Sequence, residues 1–441
     1  MYIKLKEHQE RALELCKKNR QFGVFFDMGT GKTAVLLSLV DYLVFDKLEV
    51  KSVLIIAPPQ VINRSKVWQE EMKKWKNFEF FDYMELSGDP TTRIEKKEKG
   101  FTIHLISDAL IVWYKKTYGH LNDYDMIIVD ESARFKNPTA KKFKALSEMI
   151  DLQKHRIYLL TGTPTPNGYD DLWSQIYLLD KGKRLGKSFR AYQAIYSFQV
   201  SKYKYVYSKA SIETIKETVN DICIFGENIK GLPPKIEHRV MLSFTEDKKK
   251  KYNDFVNSYI LELKEGEITV FSKQALLNKC LQLANGNVYV DNKLNYEVFD
   301  NTKWRWCYNF LKNNPEKNVL IYYNFKSDKE QLLKLPNARA IMTYKDVKDW
   351  NDGKIKAGII SPFSFQYGAN LQQGGYTVIW YGLVWSLENF LQANRRLWRF
   401  GQTHQVDVYY LLMIDTYDLG VYETLVKKNK TQRDFLESIK L

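Results

Sequence analysis

With 441 residues, 44% of them hydrophobic and 27% charged, the chain has room for two or three domains that each bury a core, and its make-up is that of a soluble globular protein. No uninterrupted apolar run reaches the length of a bilayer span, MYIKLKEHQE is no secretion signal, and Cys16, Cys223, Cys280 and Cys307 fit neither a zinc spacing nor a disulfide framework, so a cytoplasmic protein is expected. Lysine and arginine outnumber the acids 67 to 52, a formal charge of +15 that attracts polyanions such as nucleic acid; a lysine-rich composition inherited from an AT-rich genome gives the same excess.

After a short amphipathic opening, FGVFFD (Phe22 to Asp27) predicts a strand and KTAVLLSLVDYLVF a buried helix. DMGTGKT joins them, in the strand–loop–helix context that a phosphate-binding loop requires. Gly29 and Gly31, with Thr30 between them, turn backbone N–H groups toward phosphates at a helix N-terminus. Lys32 reaches the β and γ phosphates, and the Thr33 hydroxyl is the Mg²⁺ ligand. The strict pattern asks for a glycine where this chain has Phe26, a position on the strand side where the loop only has to leave the sheet. A lone GTGKT also arises by chance, so it is not decisive alone.

SVLIIAPPQVI (Ser52 to Ile62) predicts a second strand, stopped by Pro58 and Pro59. DMIIVDES (Asp125 to Ser132) predicts a third, which delivers Asp130 and Glu131 at its carboxyl end, the edge where ligands bind in an open α/β sheet. Asp130 suits Mg²⁺ and Glu131 suits activation of a water; an acidic turn that caps the next helix is the plain alternative. RIYLLTGTPTPNG (Arg156 to Gly168) predicts another strand running into a turn, and strands alternating with helical stretches indicate a parallel sheet. In SKYKYVYSK, Tyr203, Tyr205 and Tyr207 alternate with Lys202, Lys204 and Val206 as in a half-buried hairpin, the other reading being a lysine–aromatic grip on nucleic acid. In QANRRLWRFGQ (Gln392 to Gln402), Arg396 and Arg399 are three apart, which on a helix aims both at one anion such as a γ-phosphate. A basic solvated helix face is the alternative, and Arg395 reads as either a contact to a phosphate backbone or, preferably, a solvated side chain.

On these motifs the chain resembles the superfamily 2 helicase-like ATPases, and more narrowly the Swi/Snf-related DNA translocases in a compact bacterial or phage form. LKEHQ (Leu5 to Gln9) is similar to the adenine-recognising Q element, which implies that Gln9 contacts the nucleotide. DMGTGKT resembles motif I, which in that family lacks the outer glycine; DESARFKN resembles motif II and LLTGTPTPNGYDDLW motif III. GLPPK (Gly231 to Lys235) and LLNKCLQLANG (Leu276 to Gly286) are similar to the lead-in to the second lobe. NVLIYYNF resembles motif IV, YGANLQQGGYTVIWYG motif V and QANRRLWRFGQ motif VI. The resemblance implies an α/β fold of two RecA-like lobes: residues 1–228 as lobe 1 with a helical protrusion from about 169, 229–295 as linker and second protrusion, and 296–441 as lobe 2. It implies ATP and Mg²⁺ as cofactors, with Lys32, Glu131, Arg396 and Arg399 catalytic, and Gln392 coupling a site completed by lobe closure.

The same resemblance implies a partner, double-stranded DNA, followed along its phosphate backbone without sequence preference. The implied contacts are Pro58 to Ile62, Ser107, Arg134, Lys136, Thr163, Asn167, and the stretch from Gln366 to Asn370 with Gly368 and Asn370 in register. Motif II departs from the family: Ala133 stands where a histidine usually links the nucleotide site to motif III, and Ser132 is the candidate for a replacement hydrogen bond. Motif V begins SPFSFQYGANL in place of the family's glycine-rich start. The expected activity is an ATP-dependent, DNA-stimulated translocase on duplex DNA, a monomer in isolation with a partner protein supplying specificity and no membrane. A strand-separating DNA or RNA helicase, and an ATP-gated nucleic-acid clamp or recruitment module, are the alternatives.

Overall fold

The computed structural model describes residues 2–27, 29–201, 204–226, 232–265, 270–290, 295–364, 370–399 and 401–437. They fall into two units, Met1–Lys230 with Lys428–Leu441, and Gly231–Lys427.

The first unit is built on a parallel sheet of β1 (Gln21–Phe25), β2 (Val53–Ala57), β3 (Tyr83–Glu85), β4 (Ile103–Ser107), β5 (Met126–Asp130), β6 (Arg156–Leu160) and, after a two-stranded antiparallel hairpin of β7 (Ser197–Ser201) and β8 (Lys204–Tyr207), β9 (Cys223–Phe225). Its order is β3-β4-β2-β5-β6-β1-β9. The helices are α1 (Glu7–Lys18), α2 (Lys32–Asp41), α3 (Val67–Lys74), α4 (Pro90–Glu98), α5 (Ile111–Tyr118), α6 (Lys141–Met149), α7 (Asp170–Asp180), α8 (Phe189–Tyr196) and α9 (Lys209–Val219). β2 reads VLIIA with every residue buried, the continuous apolar run expected of a parallel strand covered on both faces. Its valine, leucine and isoleucine side chains each contribute roughly 1.5–3 kcal/mol on burial. Ile56, Ile127, Val129 and Leu159 from the sheet share one core with Tyr114 of α5 and Leu172 and Ile176 of α7.

Register places the working ends of the strands side by side. Val24 pairs with Leu160, Leu160 with Asp130, Val129 with Ile56, and Ala57 with Ser107. The segments that leave β1, β2, β4, β5 and β6 therefore emerge along one edge, the carboxyl edge where open parallel sheets bind ligands.

The tyrosine-rich stretch is a hairpin, as its alternation predicts. Tyr207 packs its ring against Tyr169 and Tyr192 and donates its hydroxyl to Asp170. Lys202 and Tyr203 lie outside the described residues. The segment that the family likeness made a helical protrusion carries α8, the hairpin and α9, and then returns a strand, β9, to the main sheet beside β1.

The second unit holds a six-stranded parallel sheet. Its strands, together with a small antiparallel pair, are β10 (Lys235–Leu242), β11 (Asn287–Tyr289), β12 (Tyr296–Val298), β13 (Val319–Tyr322), β14 (Ala338–Ala340), β15 (Ala357–Ile360), β16 (Thr377–Trp380) and β17 (Val406–Met413). The order is β10-β17-β16-β13-β15-β14, with β11 and β12 paired apart. The helices are α10 (Glu246–Glu265), α11 (Val270–Asn285), α12 (Thr302–Asn313), α13 (Lys326–Leu332), α14 (Tyr344–Asn351), α15 (Leu387–Asn394) and α16 (Tyr417–Glu437), of which α16 belongs to this unit only as far as Lys427. Leu320 and Tyr322 face one core and Val319 and Ile321 the other, so this sheet too is covered on both sides. β10, which falls in the stretch expected to be linker, pairs along its whole length with β17. No helix among the described residues is long and apolar enough to cross a membrane, and all four cysteines are buried free thiols.

Candidate active site

The phosphate-type loop runs from the end of β1 to the first residue of α2. Gly29 and Gly31 have φ of 78° and 80°, the left-handed region that favours glycine. The loop is folded on itself: Lys32 Nζ donates to the carbonyls of Phe26 (2.8 Å) and Asp27 (3.1 Å), and Thr30 Oγ1 donates to Asp27 (2.7 Å). Met28 lies outside the described residues. Phe26, at the place of the missing glycine, is buried with the His8 ring edge-on to it at 5.7 Å. The Phe26 side chain thus packs against α1 and is turned away from solvent.

Gln9 reaches the same loop. Its Oε1 accepts from the Lys6 amide (2.8 Å), and its Nε2 donates to the Thr30 carbonyl (2.7 Å). A Cβ on Gly31 would lie 2.2 Å from that Nε2. Gln9 thus braces the loop directly, and Thr33 stands beside it in the first turn of α2.

β5 delivers Asp130 and Glu131 to the neighbouring position. Asp130 Oδ2 accepts from the Trp68 indole N–H (2.9 Å), and Oδ1 accepts from the Glu131 amide (3.0 Å). Burial pushes the Asp130 carboxyl above the ordinary range, against the pull of the Trp68 hydrogen bond and the Lys32 charge. Glu131 is buried with φ of 52°, a strained conformation for a non-glycine residue, and its Oε2 accepts from Thr161 Oγ1 at 3.3 Å. Ser132 donates its hydroxyl to Gln175 Oε1 (2.8 Å), and Gln175 Nε2 donates to the carbonyls of Pro164 (2.7 Å) and Asp171 (2.9 Å). Trp68 and Gln175 are contacts the sequence reading missed. Neither sits in a recognisable motif, and both reach the site from the buried face of a helix.

The residues implied as nucleic-acid contacts of the first unit are gathered at the carboxyl ends of β2, which Pro58 to Ile62 follow, and of β4, β5 and β6. Ser107 Oγ accepts from the Ala109 amide. Arg134 is held by buried Asp108 through Nε (2.8 Å) and Nη2 (3.3 Å), and Lys142 shares that carboxylate. Lys136 Nζ is 3.6 Å from Asp171 Oδ2, the oxygen that also accepts from the Asn167 amide. The Thr163 amide donates to Thr161 Oγ1, and the Thr163 hydroxyl is buried with no partner among the described residues. In the second unit Asn370 is exposed, its carbonyl accepting from Asn351, while Gln366 and Gly368 lie outside the described residues.

The arginine pair departs from its expected setting. α15 ends at Asn394, and Arg396 and Arg399 lie in the turns after it, not on one helix face. The helix stops because the carbonyl of Ala393 accepts from both the Arg396 amide (3.1 Å) and the Tyr322 hydroxyl (2.9 Å), while Asn394 is anchored by the Trp380 indole (2.9 Å). Arg396 is buried and donates Nη2 to the Ser364 carbonyl at 2.7 Å. Burial pulls both guanidiniums below their ordinary range, and Arg396 helps push Arg399 down to about 10. Neither guanidinium has an ion pair among the described residues, and Arg396 Nε has no hydrogen-bond partner among them. Arg395 is not solvated as read but half-buried, its guanidinium 4.1 Å from the Trp398 ring centroid. Gln392 is buried and donates to Glu388 (3.3 Å).

The family match and the relatives define the class, a helicase-like ATPase. A family model described as the SNF2-related domain matches residues 8–287, and the chain belongs to that family. Protein p41 of Acyrthosiphon pisum secondary endosymbiont phage 1 is 27% identical, over 96% of this chain and 95% of the phage protein. Human DNA repair and recombination protein RAD54B is 24% identical over 91% of this chain, which spans 50% of that protein's length. Human DNA excision repair protein ERCC-6 is 23% identical over 93% of this chain and 31% of its own. Of the solved structures, the Sulfolobus solfataricus SWI2/SNF2 ATPase core in complex with dsDNA aligns over 99% of this chain and 94% of that one, at 21% identity and a TM-score of 0.48.

Proposed function

We propose that the protein is an ATP-dependent, DNA-stimulated translocase that moves along duplex DNA without obligatory strand separation. The observation that carries this reading is the shared edge of the first unit: Glu131 and the first-unit residues implied to meet DNA sit on neighbouring strand ends, joined through Thr161 and Thr163. The donor set fits Mg²⁺, since Asp130 and the Thr33 hydroxyl are hard oxygen ligands and the Asp130 carboxylate is desolvated beside the loop. When bound, the ion neutralises phosphate charge. Lys32 leaves the carbonyls of Phe26 and Asp27 for the phosphates, while the backbone N–H groups of Gly29 to Gly31 cradle them. Glu131 orients the attacking water and takes its proton as the new P–O bond forms and the bond to the leaving diphosphate breaks. Arg396 and Arg399 stabilise the charge that develops on the transferring group. A monomeric motor in the cytoplasm, directed by a partner protein, completes the proposal.

ATP hydrolysis measured without nucleic acid and with single strands, duplex DNA and RNA, beside triplex displacement and fork unwinding, tests it. Duplex stimulation with triplex displacement and no fork unwinding is the expected result. Fork unwinding would make the protein a helicase, and nucleotide-dependent binding without displacement would make it a clamp. DNA-stimulated hydrolysis that survives Glu131→Gln would overturn the site assignment.

A further inference from the structure

α3 carries two adjacent buried side chains that reach different parts of the candidate site. Trp68 donates its indole N–H to Asp130 Oδ2 at 2.9 Å, whereas Gln69 donates Nε2 to the Ile62 carbonyl (3.0 Å) and to Glu85 (2.9 Å). The chain between Ile62 and α3 has little slack. Gln60–Arg64 form a π-helical turn, closed where the Ser65 amide and hydroxyl both donate to the Gln60 carbonyl (2.8 and 3.0 Å), and Lys66 follows at a left-handed φ of 46°.

A buried indole needs an acceptor: Trp173 and Trp350 find backbone carbonyls, and Trp380 finds the Asn394 side chain. Trp68 instead uses the carboxylate at the end of β5. Because Glu131 N–H holds the other oxygen, both oxygens of Asp130 are oriented by the protein. Such outer hydrogen bonds fix the direction of a ligating carboxylate, and their loss typically costs about tenfold to a hundredfold in metal affinity.

We infer that Trp68 is a positioning residue for the metal carboxylate: its N–H fixes the rotamer of Asp130 and, through α3 and Gln69, ties it to the segment from Pro58 to Ile62. The inference rests on the reading of Asp130 as the Mg²⁺ ligand. Trp68→Phe keeps an aromatic ring and removes the N–H. With ADP saturating, Mn²⁺ binding followed by the electron paramagnetic resonance of the free ion is expected to weaken about tenfold to a hundredfold, while the affinity for ADP without metal is unchanged. A purely structural loss would lower both. Asp130→Asn is measured beside it. If Asp130→Asn weakens Mn²⁺ binding and folded Trp68→Phe does not, the inference falls and the metal reading stands; if neither does, the metal reading falls and the inference with it. A second measurement needs no substitution: in the parent chain with ¹⁵N-labelled tryptophan, substoichiometric Mn²⁺ should bleach one of the ten indole N–H signals before the others. Uniform bleaching, or none, would overturn the inference.

Discussion

Ser132 gives its hydroxyl proton to Gln175 Oε1 at 2.8 Å, and the amide end of the same Gln175 holds the carbonyl of Pro164 at 2.7 Å. A single fully buried side chain from α7 therefore joins the residue after Asp130 and Glu131 to the turn after β6. It does so one position before Ala133, whose methyl group cannot hydrogen-bond. Ser132, the candidate for a replacement hydrogen bond, makes one here, and its partner is a glutamine. Glu131 reaches the same turn separately through Thr161.

Gln175→Met keeps most of the volume and leaves the Ser132 hydroxyl and the Pro164 carbonyl without this partner, each at a cost of about 1–3 kcal/mol if buried and unsatisfied. Thermal stability should fall. Basal ATP hydrolysis should persist while the duplex-stimulated part drops, so the measured quantity is the ratio of the two rates. Equal losses would make Gln175 scaffold only. Ala133→His, which restores the family residue, should not help: Ala133 is buried, and overpacking there costs about 1–3 kcal/mol.

Phe26→Gly creates the strict loop pattern and should damage the protein. The phenyl ring is buried beside His8, and deleting such a ring costs about 3–5 kcal/mol. Nucleotide affinity, measured by titration with a fluorescent ADP below the melting temperature, should not improve. Tighter binding in Phe26→Gly would mean that the ring obstructs the loop.

Much of this was legible along the chain because parallel strands announce themselves as apolar runs closed by glycine, proline or acids: β1, β2, β5 and β6 all do. Asp130 and Glu131 are legible for the same reason, since a strand end fixes where they emerge. Trp68 and Gln175 were not, because they meet Asp130 and Ser132 across 62 and 43 positions and lie in helices whose apolar faces look like any other. The turn that carries Arg396 was hidden because a hydroxyl from another strand, on Tyr322, takes part in stopping α15. β10 reads as a polar stretch, KIEHRVML, because it is an edge strand with much of its surface open to solvent.

Arg396 predicts a conflict between stability and activity. A buried cation with its Nε hydrogen-bonded to nothing among the described residues is costly until an anion arrives. Arg396→Met should raise the melting temperature of the nucleotide-free protein and lower hydrolysis by on the order of a thousandfold. Sulfate should stabilise the parent chain more than the variant. Equal sulfate effects would remove the case for an anion site at this turn.

Asp328 gives the second unit a stability that depends on pH. Its Oδ2 accepts from Asn285 Nδ2 (2.9 Å), the Phe325 amide (2.9 Å) and the Asn324 amide (3.3 Å), whereas Oδ1 has no partner among the described residues. Burial outweighs those donors and the nearby Lys303 charge, and raises the carboxyl to about 6 from an ordinary 3.8. A carboxyl raised on folding binds its proton more tightly in the native state, so the sign is opposite to that of an ordinary ion-paired aspartate. The protonated native form is favoured, and stability is lost as pH rises from about 4 through about 6, by about 2–3 kcal/mol for a shift of this size. Asp328→Asn is nearly isosteric, keeps one oxygen for the three donors and places an amide where the unpartnered oxygen lies. Melting temperatures of parent and variant measured between pH 4 and pH 7.5 should diverge as pH rises, with the variant the more stable at the top of the range. Parallel curves would show that the carboxyl titrates in the native state as it does in the unfolded chain.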